Sequence, residues 1–177
     1  MIRKQKVIYL EQSGCLRDNG VAGCEKSTVG VALVAELGAI YLDGDDLHSA
    51  ANVTKMSAGK PLSDVDRAPW LRRIGQTMAA SDGMLIVRCS ALRRIYRDWI
   101  REQAKRDVVF LHLSGSRAVI ERRMSAREGH FMPVQLLESQ FATLEPLHVD
   151  ETAFVVDIDQ EFETAVAKLA NYIRTQP

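Results

Sequence analysis

The 177-residue chain has little that would tie it together covalently or carry it through a membrane. Its three cysteines, Cys15, Cys24 and Cys89, are odd in number and form no CxxC pair. That argues against a disulfide framework or a zinc cage and suits a reducing compartment. Long apolar runs are missing as well. Val7-Ile8-Tyr9-Leu10, behind Arg3, Lys4 and Lys6, is too short for a secretion signal, and nothing approaches the roughly 20 apolar residues of a membrane span. Net charge is also lacking, since 23 Lys and Arg balance 23 Asp and Glu. A protein that holds nucleic acid mainly by neutralising phosphates carries a clear basic excess, so that class is not expected. No repeat, low-complexity tract or linker divides the chain. Length and composition therefore predict one cytoplasmic domain over residues 1–177, without a nucleic-acid or membrane partner.

The neutral total conceals segregation. From Arg88 to Arg127 there are eleven Lys or Arg against four Asp or Glu, and from Glu138 to Thr164 eight acids and no Lys or Arg. Such runs are either solvated helix faces or a basic stretch facing an anionic ligand. Short apolar runs alternate with helical stripes. Lys6–Leu10, Ala39–Leu42, Met84–Val87, Val108–Leu113 and Ala153–Val156 read as buried strands. Leu92, Ile95, Tyr96 and Trp99 form one helical stripe. Val134, Leu137, Phe141 and Leu144 form a second, with Pro133 in its first turn, and Phe162, Ala165, Val166, Leu169 and Ile173 a third. Continuous apolar strands separated by helices predict an α/β fold with a five-stranded parallel sheet covered on both faces.

Ligands of such folds bind beyond the carboxyl ends of the strands. There the sequence places Asp43-Gly44-Asp45-Asp46-Leu47-His48, Cys89-Ser90-Ala91-Leu92 and, after the first strand, Gly20-Val21-Ala22-Gly23-Cys24-Glu25-Lys26-Ser27-Thr28. The last resembles a phosphate-binding loop, G-x-x-x-x-G-K-[ST]. In that loop backbone N–H groups wrap phosphates, the lysine reaches the outer ones, and the hydroxyl meets magnesium. The second glycine is replaced by Glu25. A carboxylate about 4 Å from a phosphate charge costs roughly 4 kcal/mol at an effective dielectric near 20, and half of that is still more than tenfold in affinity. Residues Glu11–Asn19 also separate the first strand from Gly20. The competing reading is a glycine-containing turn before an ordinary helix.

The remaining motifs resemble one family. Tyr41-Leu42-Asp43-Gly44-Asp45-Asp46-Leu47-His48, Asn52, Lys55-Met56, Gly59-Lys60-Pro61-Leu62, Asp64, Asp66-Arg67 and Pro69-Trp70-Leu71 are similar to the gluconate kinase (gluconokinase) signature. So are Cys89-Ser90-Ala91-Leu92, Tyr96-Arg97-Asp98, Arg123, Arg127, Gly129-His130-Phe131-Met132, Gln140-Phe141 and Val156-Asp157-Ile158-Asp159. The resemblance covers about residues 39–160 well and 1–38 poorly. It implies a P-loop kinase fold related to shikimate kinase, usually dimeric, with a small helical lid at about 123–133. It also implies transfer of the ATP γ-phosphoryl, with magnesium, to the 6-hydroxyl of D-gluconate. On that resemblance Ser27 and Asp43 would hold Mg2+, Asp45 would orient or deprotonate the sugar-acid hydroxyl, and Lys26, Arg123 and Arg127 would act on the phosphates.

Each residue also has a plainer reading. Asp43 and Asp45 suit a tight turn. Arg67 is either the partner of the substrate carboxylate or one half of a surface ion pair. His48 either meets substrate hydroxyls or is a satisfied structural histidine, and His130 either contacts ligand or caps the lid. Ser90 is a substrate contact or a helix N-cap. Trp70 and Cys89 read as core, and Arg93, Arg97 and Arg101 as a largely solvated stripe. Three alternatives to an active gluconokinase remain: a weakened relative that binds without efficient transfer, a kinase of another small hydroxy acid such as shikimate, and sequence damage within residues 11–25. Glu25→Gly is expected to tighten ATP binding by more than tenfold and to raise turnover. Unchanged affinity in a calorimetric titration would mean that the carboxylate points away from the nucleotide.

Overall fold

Strands that are apolar on both sides need helices on both sides, and the computed structural model shows that arrangement. Residues 7–12, 25–116, 119 and 142–176 are described, with side chains from residue 28 on. The elements are β1 (Val7–Gln12), α1 (Glu25–Leu37), β2 (Ile40–Asp43), a 3-10 turn (Gly44–Leu47), α2 (Ala50–Ser57) and α3 (Asp64–Ala80). They continue with β3 (Leu85–Arg88), α4 (Arg94–Ala104), β4 (Val108–Ser114), β5 (Ala153–Asp157) and α5 (Phe162–Thr175). The sheet runs β2-β3-β1-β4-β5, and each of its four pairings is parallel. Alternation sorts each strand between two cores. Ile86, Val109, Leu111 and Leu113 face α1 and α5, against Val29, Leu33, Leu169 and Ile173. Leu85, Val87, Val108 and Phe110 face α3 and α4, against Leu71, Ile74, Met78 and Ile100.

The strands run past their apolar residues to polar ends, at Gln12, Asp43, Arg88, Ser114 and Asp157. Backbone pairing, not side-chain polarity, ends a strand. β1 is the clearest case. Glu11 and Gln12 stay in register with His112 and Leu113 of β4, so the segment before Gly20 is 13–19 and not the expected 11–19. The stripe through Val134, Leu137 and Phe141 lies outside the described residues.

Helix α3 carries Pro69 in its interior and was not legible as a helical stripe. Its start is set by a capping box: the Asp66 N–H donates to Ser63 Oγ (3.3 Å), and the Ser63 N–H donates to Asp66 Oδ2 (2.9 Å). Lys55 Nζ reaches the same carboxylate at 2.7 Å. An interior proline costs about 3 kcal/mol, which burial of Trp70, Leu71, Ile74 and Met78 offsets. Gly75 lets α4 approach, because a Cβ there would strike the Ile100 carbonyl oxygen and, at 2.7 Å, Gln103 Cβ.

Two expectations for α4 are corrected. Leu92 precedes the helix, and Ile95 is exposed, so the buried stripe is Tyr96, Arg97, Ile100 and Ala104. Arg97, expected on the solvated face, is 0% exposed. Its Nε and Nη2 donate to Glu151 Oε1 and Oε2 at 2.7 and 3.1 Å, and its remaining N–H groups reach the carbonyls of Ala91, Leu92, Glu145 and Pro146. Helical spacing correctly places Arg93, Arg97 and Arg101 on one face. What it cannot show is that residues 145–151 cover that face.

Burial pushes the Glu151 carboxyl up, but the hydrogen bonds from Arg97 and the His148 N–H outweigh it and hold the group below the ordinary glutamate value of 4.5. A depressed carboxylate stabilises the fold above its unfolded pKa, and that contribution is lost as pH falls through the lower folded value. Glu151→Ala removes the carboxylate that faces the buried Arg97 guanidinium and is expected to cost about 3–5 kcal/mol at pH 7. Urea unfolding should show the gap to wild type narrowing below pH 4.5; a gap independent of pH would refute the ionic account.

Candidate active site

β2 ends on a carboxylate, and the chain turns at once. Asp43 caps the 3-10 turn, with its Oδ1 accepting the Asp45 N–H at 3.0 Å. Gly44 is required here by space: a Cβ would lie 2.6 Å from the Arg88 carbonyl oxygen and 3.1 Å from Cys89 Cβ. Trp70, buried as expected, donates its Nε1–H to the Gly44 carbonyl at 2.7 Å. Asp43 and Asp45 thus stand at the carboxyl edge of the sheet, where an open α/β sheet binds its ligands.

Arg88, the last residue of β3, is directly opposite Asp43 in register. It is 7% exposed, its Nη1 donates to Asp43 Oδ2, and its Nη2 lies 3.6 Å from Asp45 Oδ2. Burial alone would depress the guanidinium, but the two aspartates more than compensate and hold its pKa above the ordinary value. One buried cation therefore stands between two carboxylates. The sequence reading missed it, although a signal was present: a buried strand ending Leu-Ile-Val-Arg must supply a partner for its charge. Naming that partner requires knowing that β2 and β3 are neighbours.

Beyond the turn, the His48 ring stacks on Trp70 with centroids 3.9 Å apart and planes at 19°. Its Nε2 is 3.8 Å from Asp45 Oδ1, and its Nδ1 3.4 Å from Asn52 Nδ2. Arg67 donates through Nε to the Leu62 carbonyl (3.3 Å) and lies 5.7 Å from the centre of the Tyr96 ring. The expected alternative of a surface ion pair is not what the structure shows, since Arg67 has no carboxylate at ion-pair distance among the described residues. Asp64 instead takes Arg93 and the Tyr96 hydroxyl. Those hydrogen bonds, Tyr96 first, hold the Asp64 carboxyl below its ordinary value.

Ser90 is half-buried just after β3. It is not the N-cap of α4, because that position belongs to Arg93, which makes no side-chain cap bond. Cys89 is a buried thiol, as expected. Glu25, Lys26, Ser27 and Thr28 form the first turn of α1, and Thr28 is exposed. Gly20, Val21, Ala22, Gly23, Cys24, Arg123, Arg127 and His130 lie outside the described residues. Asp43, Asp45, His48 and Arg88 are therefore brought together, and Arg67 belongs to the neighbouring Tyr96 cluster.

Comparison with known proteins decides the family. Residues 19–147 match the model of a family described as an AAA domain. The chain is 42% identical over 159 residues to the thermoresistant gluconokinase of Escherichia coli (strain K12), with 88% of this chain and 90% of that one covered. The chain belongs to the gluconokinase family. Two solved structures agree: a gluconokinase from Sinorhizobium meliloti 1021 (TM-score 0.79, 38% identity, 98% and 99% of the two chains) and a sugar kinase from Janibacter sp. HTCC2649 (TM-score 0.83, 39% identity, 98% and 96%). The gluconokinase match reaches well beyond the acid turn, and the family model's span from residue 19 includes Glu25. Residues 20–28 and the acid turn thus lie within one matched region.

Gly44→Ala tests how tightly the turn is packed. Its Cβ meets backbone that cannot rotate away, so a stability loss of about 1–3 kcal/mol is expected, together with a fall in turnover as Asp45 shifts. A thermal melt and activity both equal to wild type would show that the turn relaxes freely.

Proposed function

We propose that the protein phosphorylates D-gluconate: the 6-hydroxyl oxygen attacks the γ-phosphorus of ATP, ADP leaves, and 6-phospho-D-gluconate forms. The observation that carries this reading is the Asp43-Gly44-Asp45 turn, braced by Arg88 at the sheet's carboxyl edge in a chain of the gluconokinase family. Phosphoryl transfer demands positioning, cation charge on the transferring oxygens and a group to take the nucleophile's proton. Asp45 is the acceptor of that proton. Its side chain is 42% exposed and so can meet a ligand, and it sits just past a strand end, on rigid backbone. Arg67 offers a guanidinium with no carboxylate partner among the described residues, matched to the substrate carboxylate. Ser90, His48 and His130 are assigned to the same substrate.

On the nucleotide side, the N–H groups of residues 20–28 and the dipole of α1 are assigned to the phosphates, with Lys26 on the outer ones. Arg123 and Arg127, four apart in a lid at about 123–133, would close over the phosphates and exclude water. Magnesium fits the donor chemistry. Asp43 and Asp45 offer hard carboxylate oxygens at a strand end, and the ion keeps several waters and needs only one or two protein ligands. Ser27 and Asp43 would hold it, and when bound it offsets negative charge on the transferring oxygens. Asp43 already spends one oxygen on the Asp45 N–H and the other on Arg88, so its free lone pairs suit a bound water.

A homodimer in the cytoplasm, one domain over 1–177, completes this reading; none of the described helices is long and apolar enough to cross a membrane. The deciding experiment is calorimetric titration with Mg-ATP and, separately, with D-gluconate, followed by a coupled turnover assay. Binding of both with production of 6-phosphogluconate is expected. Gluconate binding without Mg-ATP binding would show that Glu25 has disabled the nucleotide side. Asp45→Asn should lower kcat by at least a hundredfold, within the ~10²–10⁴ range of acid–base catalysis, and leave ATP affinity within a few-fold. Retained turnover would move the proton acceptor elsewhere.

A further inference from the structure

Asn52 is a polar residue buried in α2, 5% exposed, and its contacts reveal where a proton sits on its neighbour. Its backbone N–H donates to the helix cap Ser49 Oγ at 3.2 Å, which sets its place on the first turn. Its Nδ2 lies 2.9 Å from the Asp66 carbonyl oxygen. A carbonyl only accepts, so the atom facing it is the amide nitrogen and the orientation of Asn52 is determined. The same nitrogen is 3.4 Å from His48 Nδ1. Since Nδ2 only donates, Nδ1 must accept, and in the neutral ring the proton is left on Nε2. That Nε2 is the nitrogen facing Asp45 Oδ1.

The ring cannot easily exchange its two nitrogens. It is stacked against Trp70, which is itself tied to the Gly44 carbonyl, and the His48 side chain is only 3% exposed. Asp45 is flanked on its other side, where Oδ2 faces Arg88. The 3.8 Å between His48 Nε2 and Asp45 Oδ1 is longer than a hydrogen bond, so the two meet by charge–dipole attraction across a short gap. The opposite tautomer would turn a nitrogen lone pair toward the carboxylate and repel it.

We propose that Asn52 and His48 are positioning residues for Asp45: Asn52 selects the ring tautomer, and His48 presents its Nε2–H to the carboxylate that receives the substrate proton. The inference rests on the reading of Asp45 as acceptor. When gluconate reacts, its O6–H bond breaks and the proton passes to Asp45, while His48 keeps its own proton throughout. Holding Oδ1 through Nε2–H and Oδ2 through Arg88 leaves the remaining lone pairs in one orientation toward the incoming hydroxyl, so less freedom is lost in the transition state.

The test combines a spectroscopic and a kinetic measurement on the full chain. Two-bond 1H–15N spectra of protein labelled at its four histidines, with His48 assigned by its loss in His48→Gln, should show the Nε2–H tautomer. Asn52→Asp should move the proton to Nδ1, because a carboxylate there accepts. In kinetics, His48→Phe keeps a ring for Trp70 but removes the donor. It should lower kcat about 10–100-fold, the size of loss seen when an orienting outer partner is removed, with KM for ATP unchanged. His48→Gln, which carries an N–H at similar reach, should recover most of that loss. An Nδ1–H signal in the wild type overturns the proposal, and so do equal kcat losses in both His48 variants or no loss in His48→Phe. Asp45→Asn separates the two readings. Full turnover there removes Asp45 as acceptor whatever the histidine spectrum shows, whereas a dead Asp45→Asn together with an Nδ1–H signal overturns only the roles of Asn52 and His48.

Discussion

A guanidinium at the end of β3 cannot be buried without anions, and the acid turn after β2 supplies them. Arg88 stands between Asp43 and Asp45, two carboxylates that would otherwise repel each other two residues apart. Removing both carboxylates would leave the buried Arg88 guanidinium without a counter-charge, at a cost of several kcal/mol. The consequence is geometric. Asp43 is held from two directions, by Arg88 and by the Asp45 N–H, and Gly44 is pressed against the β3 backbone. Trp70 brings α3 to the same turn through the Gly44 carbonyl. The acid turn is therefore built on strand ends and a helix packed against the sheet, the more rigid parts of an α/β protein.

A second ionic anchor lies on the other side of α4. Arg97 and Glu151, both sealed from solvent, fasten residues 145–151 to the helix, and the Glu145 N–H donates to the Leu92 carbonyl at 2.7 Å. At the other end Val119 is buried in the core beneath α1 and α5. Arg93 links this anchor to the start of α3, since it pairs with both Asp64 and Glu145 beside Tyr96.

The acid turn after β2 is braced by paired charges that need no ligand to be satisfied. Glu25 is the first residue of α1, a position where the helix dipole favours an acid.

Much of the fold was legible because its signals are local. All five strands announced themselves as short apolar runs, α5 showed an unbroken stripe from Phe162 to Ile173, and Asp43, Gly44, Asp45 and His48 formed a motif readable without a partner. Helix α3 was hidden because Pro69 lowers its propensity and its start depends on a capping box reinforced by Lys55 from another helix. Arg88 and Arg97 were hidden for a related reason. Each looked like an ordinary basic residue, since the carboxylates that justify burying them lie 45 and 54 positions away. The chain alone determined the strands, the acid turn after β2 and the last helix, because turn, strand end and helix spacing are properties of neighbours in sequence. Tertiary structure decided which charges are paired and which nitrogen of His48 bears its proton, because both depend on strand order and on the approach of α3 to the acid turn.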